Sequence, residues 1–297
     1  MDNSSLNYYK ESGVAQPINI GLTLACAFAT LLCISYFYSL IINFIPIVYL
    51  NFLIVILYGY IVSYTSRIFN TIFKIRNRNT SITITCIIAV FAVYFQWVSY
   101  LYIISMEDFN PSLIFKEFGY FFNIFFRPDL VVLEMIEINK IGLWSLYGVS
   151  YINGLPLWLV WFAEAAIIIY VAIKSFSSFE IIPFSEKDNT WFKKEFIDFD
   201  FERITFKNKF LEAFILHPSK AILDLHRGDG LRHSKISIFS SETESKSIIT
   251  IDNIIITKSG KGSKDVSSVL KHCYIDNIHL SKLRAQFRTK KASIFDY

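Results

Sequence analysis

Four uninterrupted apolar runs lie between residues 18 and 176, and the roughly 120 residues that follow contain none. Each run reaches the length of about 20 residues that a helix needs to cross the hydrocarbon core of a bilayer. Hydrophobic residues make up 53% of the chain, which is more than a water-soluble domain usually contains. The pattern predicts an all-α membrane bundle of four transmembrane helices, followed by a water-soluble domain.

The first apolar stretch runs from Ile18 to about Tyr64 and is long enough for two spans. A reversal is expected at Asn43–Pro46, because proline lacks an N–H and is tolerated in the first turn of a new helix. We predict spans over residues 18–41, 46–65, 82–104 and 156–174. The chain then divides into an N-terminal segment (1–17), a transmembrane domain (18–176) that includes an external segment (105–155), and a C-terminal domain (177–297).

A cleaved lipoprotein signal is the competing interpretation of the first span. Residues Leu22–Cys26 faintly resemble a lipoprotein cleavage box, in which the cysteine is acylated. The preceding residues lack a basic excess, however, and the apolar run continues far beyond Cys26. A helical cysteine facing its neighbours is therefore favoured.

The charges in the loops predict the orientation. The loop after the second span has basic residues and no acid, namely Arg67, Lys74, Arg76 and Arg78, whereas residues 105–155 contain six acids and three bases. Short basic loops stay in the cytoplasm. We therefore expect both termini in the cytoplasm and these four basic side chains facing the lipid headgroups. The frequent use of Ile, Phe, Lys, Asn and Ser favours a bacterial source, and hence the inner membrane.

The external segment is too long for a simple loop. Acidic and basic residues recur every three positions between Leu130 and Ile141, and apolar residues fill the remaining face. This spacing predicts an amphipathic helix that lies along the outer interface or caps the bundle. Trp144 and Tyr147 are then expected at the level of the headgroups.

Apart from Lys174, which closes the fourth span, Glu164 is the only charged or histidine side chain inside a predicted span. A charge at that depth is costly, so such a residue usually faces the bundle and finds a partner. Gln96, at a similar depth in the third span, is the predicted partner, because an amide both donates and accepts hydrogen bonds. Two roles stay open. The carboxyl group either couples protons or cations, or it is a protonated side chain that fixes helix packing or oligomer contacts. The neighbouring alanines favour packing.

One stretch of the C-terminal domain contains residue types that bind metals: Asp224, His226, Asp229 and His233. The intervening Gly228-Asp229-Gly230 is a strong turn signal, and flanking arginines would repel a cation. A polar turn is therefore favoured over a metal site. The four cysteines show neither metal spacing nor a disulfide pattern. No cofactor is predicted.

The pattern after the fourth span predicts a cytoplasmic α+β domain with a small antiparallel sheet. Residues 235–240 and 247–257 are rich in isoleucine and threonine and flank a polar turn, as in a β-hairpin. Residues 266–275 are expected to form a third strand, and residues 276–287 a final helix. Before them, an aromatic cluster around Trp191 precedes a helix that is expected to end at Pro218.

The chain shows no catalytic signature, and its net charge of +4 is too mild to favour nucleic-acid binding. The favoured hypothesis is a non-enzymatic component of a membrane assembly, with the lipid bilayer and either its own copies or other subunits as partners. Its cytoplasmic domain would bind a partner or a ligand. A channel or transporter subunit that uses Glu164 is the first alternative, and a membrane-embedded enzyme acting on lipids is the second.

Overall fold

The structure is a computed structural model that describes residues 6–45, 48–105, 118–143, 145–146, 150–257 and 263–292. The chain folds into two compact units. One is helical and comprises residues Gly13–Phe179, and the other contains the sheet and combines Met1–Ser12 with Glu180–Tyr297.

The helical unit contains four long helices. They are α1 (Pro17–Phe44), α2 (Val48–Ile72), α3 (Arg78–Ile104) and α6 (Gly154–Ser178). All four are long and apolar enough to cross a membrane. Between α3 and α6 the chain forms α4 (Phe118–Phe125), α5 (Pro128–Ile141) and the short strands β1 (Ser145–Leu146) and β2 (Ser150–Tyr151).

Local sequence explains where these helices begin. Pro17 and Pro128 occupy the first turn of α1 and α5, where a missing N–H costs nothing. The side chain of Asn77 caps α3 by accepting a hydrogen bond from the backbone N of Thr80 at 3.0 Å. Helix α5 covers the predicted amphipathic segment, whereas Trp144 and Tyr147 lie outside the described residues.

Helix α3 is central and packs against α1, α2 and α6, with α4 and α5 beside it. The core that they share is built from small and branched apolar side chains, which include Ala27, Leu31, Val62, Ile88 and Ile168, all without solvent exposure. The same helices also bury many hydroxyl and amide side chains: Thr23, Ser35, Ser39, Ser63, Thr65, Ser66, Asn70, Ser81, Thr85, Gln96 and Ser99.

The outer surface of the four long helices is apolar. Large hydrophobic side chains remain strongly exposed on it, including Phe37, Leu53, Leu57, Leu159 and Phe162. This distribution inverts the one found in water-soluble domains, where the polar residues are mostly outside.

The sheet unit begins with β3 (Phe184–Ser185), β4 (Thr190–Trp191), β5 (Lys193–Ile197) and β6 (Phe201–Glu202). Helices α7 (Lys207–Leu216) and α8 (Pro218–Leu223) follow. The chain ends with β7 (Arg232–Ser240), β8 (Lys246–Thr257), β9 (Ser263–Asp276), α9 (Asn277–Gln286) and β10 (Thr289–Lys291). Pro218 therefore opens α8, after α7 has ended two residues earlier.

The expectation of a small sheet is wrong. The main sheet has six antiparallel strands in the order β10-β5-β7-β8-β9, with β6 also paired to β7. The predicted hairpin and third strand are present as β7, β8 and β9, and they are longer than expected. Strands β5, β6 and β10 were not predicted, because each is too short for its alternation to stand out and each pairs with residues distant in sequence.

One face of this sheet packs on the helices. Ile236 and Ile238 of β7 face Ile251 and Ile249 of β8 in register, and all four are completely buried. They form one core with Phe201 and with residues of α7, α8 and α9.

The N-terminal segment belongs to the sheet unit. The backbone N of Tyr9 donates to the carbonyl of His272 at 2.8 Å, and the backbone N of Tyr274 donates to the carbonyl of Asn7 at 2.8 Å. Residues 7–9 thus cover the edge of β9, whose free N–H and C=O groups would otherwise invite pairing with another chain. The hydroxyl of Tyr9 also accepts a hydrogen bond from the backbone N of Phe184 at 3.0 Å.

Candidate functional site

Glu164 of α6 is hydrogen-bonded to a side chain of another helix. The hydroxyl of Tyr38 in α1 donates to its Oε1 at 2.6 Å. Gln96 of α3 lines the same cavity as this carboxyl group. The structure therefore brings the two candidate residues of the spans together at one cavity, and it adds Tyr38, which the sequence alone does not single out.

Tyr38 is held in place by a second tyrosine. The rings of Tyr38 and Tyr58 stack with their centroids 4.3 Å apart and an angle of 22° between their planes. The hydroxyl of Tyr58 shares a hydrogen bond with Ser35 at 2.6 Å and donates to the carbonyl of Ala92 at 3.1 Å. Since Tyr58 is only 1% exposed, this arrangement fixes the direction in which the Tyr38 hydroxyl points.

The carboxyl group borders a cavity of about 230 Å³ inside the helical unit. Aromatic and polar side chains dominate its wall. The lining residues are Tyr38, Ser39, Ile42, Asn43, Ile45, Gln96, Trp97, Tyr100, Leu143, Trp161 and Glu164. Asn43 lies in the last turn of α1, Ile45 follows that helix and Leu143 follows α5, so the cavity lies toward that end of the bundle.

The position of the site along the helices agrees with this placement. Glu164 comes ten residues after Gly154, which corresponds to about 15 Å along α6, and Tyr38 comes six residues before Phe44, or about 9 Å along α1. The basic loop between α2 and α3 lies at the opposite ends of these helices.

Two hydroxyl groups of the wall donate their hydrogen bonds within the bundle. The proton of Tyr38 goes to Glu164, and Ser39 donates its proton to the backbone carbonyl of Gln96 at 2.9 Å. The Oε1 atom of Gln96 is buried and has no hydrogen-bond partner among the described residues. The cavity wall therefore includes a buried acceptor, Oε1 of Gln96, that a bound donor could fill.

Two of the predicted basic residues lie near the carboxyl-terminal end of α6. The Nη2 atom of Arg78 donates to the carbonyl of Ser177 at 2.5 Å, and the guanidinium of Arg67 stacks 4.1 Å from the centroid of the Phe179 ring. A cation at that end satisfies a free carbonyl and complements the helix dipole. The backbone N of Arg76 donates to the carbonyl of Val14, and Lys74 adopts a left-handed conformation with φ of 55° in the same loop.

The residues considered for metal binding form a turn. Oδ1 of Asp229 accepts hydrogen bonds from the backbone N atoms of Leu231 and Arg232 at 3.0 and 2.5 Å, and Gly230 has a φ of 75°. His233 is buried in β7, and the backbone N of His226 donates to Glu202. Asp224 ends α8. Within the described ranges, no group of three or more His, Cys, Asp or Glu side chains is arranged to hold a metal.

The sheet unit contains a buried ion pair that sequence analysis missed. Lys194 of β5 has a side chain only 4% exposed and forms a close ion pair with Glu180. Its ammonium also lies 4.6 Å from the centroid of the Phe196 ring. His272, in a bulge of β9 with φ of 49°, places its Nε2 at 3.9 Å from Glu180, which is too far for a hydrogen bond.

The pKa values of Glu180 and of the nearby Asp252 are shifted in opposite directions. Burial alone disfavours the charged carboxylate, but the neighbouring Lys194 and His272 side chains outweigh it and hold the pKa of Glu180 below its ordinary value. On β8, burial instead raises the pKa of Asp252, and the negative charge of Glu180 adds to that effect. The lysine could not be recognised from the sequence, because a buried lysine in a strand looks like any surface lysine.

Comparison with protein-family profiles, with characterised proteins and with solved structures gives no match to this chain. The function is therefore argued from the residues themselves.

Proposed function

We propose that this is a multi-pass membrane protein of the bacterial inner membrane. Its four long helices cross the bilayer, and its sheet domain lies in the cytoplasm. It acts as a non-enzymatic component of a membrane assembly, in which the sheet domain binds a partner, a ligand or a second copy of the chain.

The single observation that carries this proposal is the inverted distribution of polarity in the helical unit. Side chains such as Leu53, Leu159 and Phe162 are more than half exposed on the outside, whereas Ser35, Ser66 and Thr85 are completely buried. Leaving so much apolar surface in water would be costly, and a lipid environment removes that cost. Buried hydroxyls and amides then hold the helices together, as the Ser66–Thr85 hydrogen bond at 2.7 Å does.

The connectivity supports placing both chain ends on one side. Residues 7–9 pair with β9, so the segment before α1 and the segment after α6 belong to the same folded unit. Only an even number of crossings returns the chain to the side from which it started. Four helices meet this requirement, and the basic loop between α2 and α3 favours the cytoplasm as that side.

Cysteine labelling in intact bacterial cells tests the proposal. In a variant whose four cysteines are replaced by serine, Glu134→Cys on the exposed face of α5 should react with a membrane-impermeant maleimide. Glu242→Cys, which is exposed in the sheet domain, should react only after the cells are permeabilised. The reverse pattern would overturn the orientation, and reaction of both sites in intact cells would contradict the four-span arrangement.

A second candidate function is that of a channel or transporter subunit, and the cavity beside Glu164 favours it. A carboxyl group that only serves packing needs a partner, but it does not need a space of about 230 Å³ beside the Gln96 Oε1 atom, which has no partner among the described residues. Substitutions of Glu164 discriminate between packing and transport. In the packing role, Glu164→Gln assembles normally, whereas Glu164→Leu loses about 1–2 kcal/mol of stability. In the transport role, Glu164→Gln folds normally but abolishes the cation flux that the wild type supports in proteoliposomes. Four helices enclose little room, so a monomer in detergent would count against conduction.

A further inference from the structure

We propose that the cavity beside Glu164 binds a small organic ammonium ion. The inference rests on the second candidate function and names the class of ligand for that site. Three properties of the cavity lead to it: the sign of its charge, its hydrogen-bonding character and its aromatic wall.

The charge of the wall favours a cation. Glu164 is the one ionisable acid or base among the described residues that line the cavity, apart from the tyrosine hydroxyls, so an anion would meet no positive side chain there. A cationic ligand would supply the counter-charge that a carboxylate in an apolar bundle requires.

The hydrogen-bonding character favours a donor. The hydroxyl of Tyr38 donates its hydrogen bond to Glu164, and the hydroxyl of Ser39 donates to the backbone carbonyl of Gln96. The buried Oε1 of Gln96 has no partner in the described part of the chain, although Gln96 is only 6% exposed. Leaving a buried acceptor unfilled costs about 1–3 kcal/mol, and a bound group with N–H or polarised C–H donors would recover that cost.

The aromatic wall favours an organic cation over a hydrated metal ion. Tyr38, Tyr100, Trp97 and Trp161 all line the cavity. The two tryptophan rings meet edge to face with centroids 4.9 Å apart, and Trp97 meets Tyr100 in the same way at 5.8 Å. Aromatic rings around one acid are the arrangement by which proteins bind alkylammonium groups, because the ring faces attract a desolvated positive charge.

The size of the cavity limits the ligand. Its volume of about 230 Å³ is that of roughly eight water molecules at about 30 Å³ each, so it accepts a molecule of similar heavy-atom number. Choline and short alkylamines fit this limit, whereas the longer polyamines spermidine and spermine do not. An ammonium group of this size occurs either as a free solute or as the headgroup of a lipid.

Isothermal titration of the full chain tests the proposal. The protein, embedded in phosphatidylglycerol nanodiscs, is titrated with choline and with propylammonium. Dimethylbutanol, the uncharged carbon analogue of choline, serves as the control ligand. We expect at least one of the two ammonium ions to bind about tenfold or more tightly than dimethylbutanol. The proposal would be overturned if neither ion bound more tightly than dimethylbutanol, or if Na⁺ or K⁺ bound in their place.

Variants locate the site. Glu164→Gln should weaken ammonium binding about tenfold or more, while its thermal unfolding in detergent stays close to that of the wild type. Tyr100→Leu, which removes one ring from the wall, should also weaken it. Glu134→Gln makes the same chemical change on the exposed face of α5 and should leave binding unchanged. Unaltered binding in a folded Glu164→Gln variant would show that the cation binds elsewhere.

The lipid composition of the nanodiscs distinguishes a free ammonium solute from a lipid headgroup as the source of the ligand. If the cavity accepts the lipid headgroup, phosphatidylcholine in the nanodiscs should lower the apparent affinity for free choline. If only the free ammonium ion reaches the cavity, that affinity should stay unchanged. The labelling experiment on topology is independent of these titrations, so failure of one does not imply failure of the other.

Discussion

Substitution of Gly59 by alanine should destabilise the helical unit, although alanine is the better helix former. Gly59 lies on α2 where that helix packs against α6. A methyl group built on Gly59 would lie 2.8 Å from Cβ and 3.0 Å from Cγ1 of Val171, and 3.1 Å from the backbone carbonyl oxygen of Ile168. Ordinary carbon contacts are about 3.5–4.0 Å, so the two helices would have to separate by a few tenths of an ångström or more.

The magnitude follows from two opposing contributions. Replacing glycine by alanine inside a helix gains about 1 kcal/mol from propensity. Inserting a methyl group into a packed contact that cannot relax costs about 1–3 kcal/mol. The contact at Gly59 cannot relax easily, because two of the opposing atoms, the Ile168 carbonyl oxygen and the Val171 Cβ, are part of or attached to the backbone of α6. We therefore expect a net loss of up to about 2 kcal/mol in the free energy of unfolding.

Equilibrium unfolding of the full chain in mixed detergent micelles, followed by circular dichroism, measures this loss. Gly21→Ala in α1 is the matched control, since nothing lies within 4 Å of its added methyl group, and it should be neutral or slightly stabilising. In the Gly59→Ala background, Val171→Ala should rescue little because it keeps Cβ, whereas Val171→Gly should restore part of the loss. A Gly59→Ala variant as stable as Gly21→Ala would refute the close approach of α2 and α6.

Two further predictions concern the sheet unit. Burial raises the pKa of the Cys273 thiol to about 11, so in a variant with Cys273 as its only cysteine about one thiol in a thousand is ionised at pH 8. Alkylation should be slow in the folded protein and faster after deletion of residues 1–12; equal rates would contradict the pairing on β9. Because the pKa of Glu180 lies below its ordinary value of 4.5, its contribution to stability is present above that value and is lost as the pH falls through the lower, folded value. Glu180→Gln should therefore reduce the loss of unfolding free energy at acid pH. Lys194→Met should lower the free energy of unfolding by about 3 kcal/mol at pH 7. If the pH dependence of stability in Glu180→Gln equals that of the wild type, the ion pair does not contribute.

The sequence predicts the sheet unit well where structure is local. Strands β7, β8 and β9 are long and follow one another, so alternation and turn residues suffice to recognise them. Strands β5 and β10 have five and three residues, and they pair with each other across more than ninety positions of the chain. Their place in the sheet depends on tertiary contacts, which no local pattern contains. The same holds for residues 7–9 on the edge of β9.

Two of the three polar residues at the candidate site could be predicted from the sequence, and the third could not. Glu164 stands out because it is the only acid within a predicted span, and Gln96 because it is an amide at a similar depth. Tyr38 does not stand out, because a tyrosine near the end of a span is equally typical of the lipid interface.

A signal for Tyr38 nevertheless exists in α1. The buried residues of this helix are Thr23, Ala27, Leu31, Ser35, Tyr38 and Ser39, which recur at intervals of three and four positions. Hydrophobicity cannot reveal such a stripe, because lipid-facing residues are as apolar as the core. The stripe is marked instead by small and hydroxyl-bearing side chains, which let helices approach and hydrogen-bond in lipid. A tyrosine on that stripe faces the bundle, and its hydroxyl must then find a partner inside it. In α1 the partner is the carboxyl group of Glu164. The stripe thus predicts an inward-facing Tyr38, and only the packing of α1 against α6 identifies what it binds.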